Sequence, residues 1–167
     1  DGTFHNFMNF DRTWMDQEPA SDALGRALWA LGTVIANPPS PAYLSVLKDY
    51  FDQSVEEIPR QSPRGLAYSI MGMSDYLKQF PGASEIKRQL TVSAHILQSL
   101  YEQHAGDDWK WFENIITYDN AALVHAMFIA SRILENEKFA ATARQSCEFL
   151  LEKVYDGDHF SFVGCNG

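Results

Sequence analysis

Two kinds of helical segment alternate along this chain, and few folds satisfy that alternation. Residues 23–36, 64–77 and 120–134 each carry at most one or two charges and are rich in Gly, Ala, Ser and Met. Each is followed by a segment with a single apolar stripe, over residues 42–58, 84–103 and 137–155. A helix that is apolar nearly all round is buried on every side, whereas a striped helix covers something and faces water. Two layers follow: an inner row of parallel helices wrapped by an outer row. Gly25-Arg-Ala-Leu-Trp-Ala-Leu-Gly32, Gly65-Leu-Ala-Tyr-Ser-Ile-Met-Gly72 and Ala121-Ala-Leu-Val-His-Ala-Met-Phe128 align with one another. Their small residues let neighbouring helices approach closely. Hairpins repeating at this interval are the signature of a solenoid or a closed α/α toroid. A six-helix globular bundle, the alternative, does not require the alternation.

Periodicity and breakers give the boundaries. Leu24, Ala27, Leu28, Leu31 and Ile35 recur at helical spacing after a candidate cap at Ser21 or Asp22. Asn37-Pro-Pro-Ser-Pro41 ends that helix and opens the next, because Pro is tolerated in a first turn and not beyond it. Tyr43, Leu44, Leu47, Phe51 and Val55 form the second stripe. Ile86, Leu90, Ala94 and Leu97 form the fourth. Phe139, Ala143, Cys147, Leu150 and Val154 form the sixth.

At 167 residues the chain reads as one α-helical domain, 1–167, long enough for a real core. Lys plus Arg is 13 and Asp plus Glu is 22, a formal charge of −9. That balance repels phosphate backbones and anionic membrane surfaces, so no nucleic-acid partner and no membrane partner is expected. No apolar run approaches the roughly 18 residues of a membrane span, and nothing reads as a signal peptide, so reducing cytoplasm is the expected setting. Cys147 and Cys165 make neither a disulfide framework nor a zinc motif. Cys147, among Ser146, Phe149 and Leu150, reads as a small core residue. His5, His125 and His159 have no second or third ligand at useful spacing, and His125 reads as a core histidine. No metal and no cofactor is expected. The glycines at 25, 32, 65 and 72 read as packing residues, not a phosphate loop.

Chemistry belongs in the loops. In a two-layered array, residues 1–21, 59–63, 104–119 and 156–167 emerge on one face, and the short Pro/Gly-built turns at 37–41, 80–83 and 135–136 on the other. Binding residues concentrate on long loops held by a rigid frame, which singles out the first face. The stretch Gly106-Asp-Asp-Trp-Lys-Trp-Phe-Glu-Asn-Ile-Ile-Thr-Tyr-Asp-Asn120 is acidic and aromatic, and the helix behind it is almost uncharged. Flat rings cover the apolar C–H face of a pyranose while carboxylates and amides bond its hydroxyls. Trp14, Asp11, Arg12, Trp109, Trp111, Phe112 and Tyr118 are the candidate sugar-binding residues, and Glu113 and Asp119 the candidate carboxylates of a glycosidase pair. Glu18 and Asp22 come from the other loop of that face. The plainer readings stand beside these: Asp119 or Asn120 as a helix cap, Asp107-Asp108 as a turn, Trp109 and Phe112 as plugs of the array.

At Trp109-Lys-Trp-Phe-Glu113 and Thr117-Tyr-Asp-Asn-Ala121 the chain resembles the six-hairpin (α/α)6 toroid group, which holds many glycosidases, epimerases and lyases of sugars. Asp1-Gly-Thr-Phe-His-Asn-Phe-Met8, Asp11-Arg-Thr-Trp14 and Gly25-Arg-Ala-Leu-Trp-Ala-Leu-Gly32 are similar to a bacterial helical-toroid domain found attached to, or encoded beside, glycosyltransferases and glycoside phosphorylases. The resemblance covers essentially the whole chain and implies a carbohydrate ligand. It brings no assigned catalytic residues. Relatives carry an acidic pair and a His before Gly-Arg-Ala-Leu-Trp, where Ala20-Ser-Asp-Ala-Leu24 keeps only Asp22. About three hairpins are present, half of a six-hairpin ring. The expectation is therefore self-association, or a longer protein that supplies the remainder. A helical scaffold contacting a partner enzyme is the alternative function. A prenyl- or terpene-type toroid is disfavoured by the lack of a clustered Asp-rich motif.

Overall fold

The structure, a computed structural model, describes residues 4–16 and 22–164. Residues 1–3 of the opening motif, Glu18, Ala20, Ser21 and Cys165 lie outside the described residues. Six α-helices carry the fold: α1 (Ala23–Ala36), α2 (Leu44–Ser54), α3 (Pro63–Gln79), α4 (Ser84–His104), α5 (Asn120–Ile133) and α6 (Glu137–Val154). Short 3-10 helices at Pro41–Tyr43 and Val55–Arg60 flank α2, so the single second helix of the sequence reading is three pieces, Pro59 falling in the last of them. Among the described residues there is no strand, only isolated bridges at Met8–Trp14 and Tyr155–Phe160. Contacts group the chain into two compact units, Asp1–Ser93 and Ala94–Gly167, with the boundary inside α4.

In the first unit α1 lies against α3, and the glycines decide how. A methyl group built on Gly25 would lie 2.8 Å from the Cα of Gly65, and one on Gly32 would lie 2.8 Å from the Cα of Gly72. Residue 25 thus meets 65 and residue 32 meets 72, so the helices run parallel, in the register in which their sequences align. Ser62 caps α3 by accepting from the Gly65 N–H at 3.2 Å, with Pro63 in the first turn. From Arg64 to Met73 every residue of α3 is buried. In the last turns of α3 the Tyr76 ring packs against Phe51 and Phe80, and its hydroxyl donates to Asp52 at 3.1 Å, beside Lys48.

The expectation that α1 is buried on every side does not hold. Its Leu24, Leu28 and Ile35 are core, but Trp29 is 42% exposed and Val34 37%. The Trp29 ring runs parallel to that of Tyr68, with centroids 5.9 Å apart, and stays partly open to water. The α2 stripe is also shorter than expected: Phe51 and Val55 are buried, whereas Tyr43 is exposed.

In the second unit the C-terminal half of α4 meets α6 along a seam of polar contacts. Thr142 donates to Gln98 at 2.9 Å, Tyr101 donates to Gln145 at 2.8 Å, and Lys138 pairs with Glu102 at 2.7 Å. Ser146 is buried too, its hydroxyl donating to the Thr142 carbonyl at 2.8 Å. Hydroxyls so satisfied can enter a core at little cost, and this rotates α6 from the expected stripe. Phe139, Thr142, Ala143, Ser146 and Phe149 are inside, whereas Cys147 and Leu150 are only half-buried. The turn from α5 to α6 places Glu135 at φ 51°, the left-handed residue that ends many helices, and the Asn136 N–H reaches back to the Ser131 carbonyl at 3.0 Å. Asn136 then caps α6 by accepting from the Lys138 and Phe139 N–H groups.

Candidate functional site

The predicted site residues fall into both units, and each group is built locally. Asp11, Arg12 and Trp14 belong to a tight loop over residues 8–14 of the first unit. Arg12 sits at φ 68°, and Asp11 accepts from the Thr13 hydroxyl at 2.7 Å and the Thr13 N–H at 3.1 Å. Those two donors hold the Asp11 carboxyl below its ordinary pKa, the hydroxyl being the larger cause. Asp11 is thereby engaged in shaping its own turn. Trp14, half exposed, stacks on the His5 ring at 4.7 Å, and His5 faces Asp16 at 3.3 Å. Asp22 pairs with Arg26 one turn into α1.

In the second unit the connection between α4 and α5 is wired to itself and to α6. The Gly106 N–H donates to the Trp109 carbonyl at 2.8 Å, and the Lys110 ammonium donates back to the Gly106 carbonyl. Trp109 donates its indole N–H to the Glu113 carbonyl at 2.8 Å and sets its ring edge-on to Phe149 at 4.9 Å. His104 and Asn114 meet at 2.8 Å. Trp111 and Phe112 are completely buried against each other and against Phe149 and Tyr101. Of platform and plug, these two rings are plug: with no surface open to solvent, neither can cover a sugar. The Trp111 indole N–H has no partner. Glu113 is half-buried at the end of this cluster.

Tyr118 and Asp119 differ in kind. Asn120 is buried and clamps the turn from below: its Oδ1 accepts from the Thr117 N–H at 3.1 Å and its Nδ2 donates to the Thr117 carbonyl at 2.8 Å. Asp119 stands at φ 44° and makes no side-chain cap to α5. The cap reading of Asp119 is therefore replaced by a turn brace at Asn120. The braced turn leaves Tyr118 and Asp119 exposed.

Asp119 also stands at one end of a groove of about 540 Å³. Val124, His125 and Phe128 of α5 form one wall, Leu150, Leu151 and Val154 of α6 the other. Phe160 and Phe162 of the following segment close its side, so residues 119 and 160 share one face, as the loop argument expects. The groove is nearly all apolar. His125, expected in the core, is exposed here, and Cys147 lines the groove instead of filling the core. The signal for the groove lay in the sequence as Ala121, His125 and Phe128, one face of α5 at helical spacing. The opposite side of α6 bounds a polar cleft of about 430 Å³ whose rim holds Asp107, Asp108, Lys110, Glu148 and Glu152. One loop therefore runs from a polar cleft to an apolar groove.

Arg64 is the charged residue that the sequence reading passed over; it is 4% exposed at the start of α3. Among the described residues no group of three or more His, Cys, Asp or Glu side chains is gathered closely enough to hold a metal ion, and no helix is long and apolar enough to cross a membrane. No protein-family model matches the chain, and no curated protein or solved structure is significantly similar to it.

Proposed function

We propose that this chain is a carbohydrate-binding part of an α/α toroid-type array of helical hairpins, acting in polysaccharide or oligosaccharide metabolism. The observation that carries the reading is the braced turn at residues 117–120. A ring that covers the C–H face of a sugar and a carboxylate that bonds its hydroxyls bind best when both are held before the ligand arrives. The Asn120 clamp on Thr117 supplies that rigidity, and Tyr118 and Asp119 are the exposed ring and carboxylate it presents. Trp109, tied to Glu113 and Phe149, is a second partly exposed ring in the same connection. Glu113 and Asp119 are the carboxylates a glycosidase-like reaction in this array would draw on. Attachment to, or action beside, a glycosyltransferase belongs to the same proposal.

The test is a glycan array probed with the wild-type chain, Tyr118→Ala and Asp119→Asn. At least one glycan is expected to bind, with roughly tenfold loss, about 1.4 kcal/mol, in each variant and an unchanged circular dichroism spectrum. A wild-type chain that binds no glycan sinks the reading. A second reading, a helical scaffold that docks a partner protein, is favoured by the apolar groove and by the exposed Trp29–Val34 face of α1. It predicts that substitutions in the groove, and not at Tyr118, abolish association.

A further inference from the structure

We infer that the ligand of this site is an amphiphilic glycoside: a sugar held at Tyr118 and Asp119 whose apolar aglycone lies in the groove between α5 and α6. The inference rests on the carbohydrate reading and specifies its ligand. Three observations lead to it. Asp119 belongs both to the braced turn and to the rim of the groove, so the two subsites are continuous. The polar groups of the groove gather toward the start of α5, at Asp119, Asn120 and His125. Beyond them along the two helices the walls are apolar, with Phe128 of α5 and Cys147 and Leu150 of α6, and Phe160 and Phe162 add apolar rings to the lining. A free sugar has nothing to satisfy those walls, and its hydroxyls would lose water there without gaining partners. An alkyl or aryl group gains by the same burial.

Size agrees with this assignment. The volume of about 540 Å³ is that of an ordinary ligand site. From Ala121 to Phe128 the groove follows α5 for about 10 Å, roughly the reach of an octyl chain. The carboxylate at the mouth and the overall charge of −9 disfavour an anionic head group and suit a neutral, hydroxyl-rich one.

The experiment is a titration with n-alkyl β-D-glucosides from methyl to octyl, all below their micellar concentrations. Binding is followed by backbone amide shifts of residues 119–128 and 147–163. Affinity should rise about threefold to fourfold for each added methylene, the increment of a buried CH₂. Leu151→Asp should flatten that dependence and leave methyl glucoside unaffected. Tyr118→Ala should weaken every member of the series by the same factor. An alkyl dimethylamine oxide of matching chain length separates the two claims. If it binds as tightly as the glucoside, the groove takes apolar chains but the sugar reading fails. If glucosides bind with no dependence on chain length, the sugar reading stands and the aglycone assignment is overturned. If nothing binds, both fall.

Discussion

A single methyl group added at Gly72 has nowhere to go. It would meet the backbone of α1 at Leu28 and Trp29, 2.8 Å from the Trp29 nitrogen, and backbone cannot step aside as a flexible side chain does. Gly72→Ala should therefore cost about 1–3 kcal/mol through overpacking, against the modest gain Ala brings to a helix. The control is Gly82→Ala, where an added methyl meets nothing within 4 Å. It should leave the urea midpoint nearly unchanged, and equal midpoints for the two variants would refute the close-packed register. These glycines were legible in the sequence because the same spacing occurs twice, at 25 and 32 and at 65 and 72. The aromatic residues were not. Trp111 and Trp109 stand two apart in one polar loop, yet the first is wholly buried and the second only partly. Nothing in a loop's composition says which ring turns inward: both rings meet Phe149 of α6, and Trp111 goes in beside Phe112, which packs on Tyr101 of α4. Arg64 shows the same lesson: a charge at a helix start reads as solvated until the fold buries it.

Elements were legible wherever period and punctuation agreed. α1 begins and ends as its pattern predicts, and Ile86, Leu90, Ala94 and Leu97 form the buried stripe of α4. The stripe of α6 was misjudged because Thr142 and Ser146 count as polar in a pattern but satisfy their hydroxyls inside. The turn that follows α6 is shaped in part by one carboxylate. Asp156 accepts from the Asp158 and His159 N–H groups, each at 3.0 Å, and faces the His159 ring at 3.0 Å. The N–H donors, that of His159 first, hold its pKa below the ordinary aspartate value. A depressed carboxylate pKa means that the folded loop binds the proton more weakly than the open one. The stabilisation is therefore present above the ordinary aspartate pKa and is lost as pH falls through the depressed value. Gly157 at φ 101°, with its carbonyl accepting from the Tyr155 hydroxyl at 2.8 Å, sets the turn in which this occurs. The Asp158 and His159 amide resonances should shift together with the Asp156 carboxyl on acid titration, at a midpoint below the ordinary aspartate value. In Asp156→Ala the transition should vanish, and a midpoint above the ordinary value would refute the assignment.

At the scale of the whole molecule, the contacts group into two units, each with its own packing. In the first, α1 packs on α3 through glycines and Tyr76 is fixed by Asp52, Phe51 and Phe80. In the second, α5 packs on α6, and α6 is sewn to the C-terminal half of α4 by Gln98, Tyr101 and Glu102. The expectation from sequence is one continuous row of hairpins, and a repeat pattern records how neighbours match, not how a chain's contacts group. When stability is built from local sets of contacts, a lesion in one set lowers the free energy of opening that set first. Gly72→Ala, placed wholly within the first unit, is a clean lesion for that purpose. Amide hydrogen exchange should show α1 and α3 losing protection about tenfold, the equivalent of ~1.4 kcal/mol. The amides of α6 from Glu137 to Val154 should keep theirs, because its partners Gln98, Tyr101 and Glu102 lie in the second unit. α4 crosses the boundary, so its protection should fall at its N-terminal end and hold beyond Ala94. Equal loss over α1, α3 and α6 would mean that the chain opens as one cooperative body, and the two-unit description would then fail.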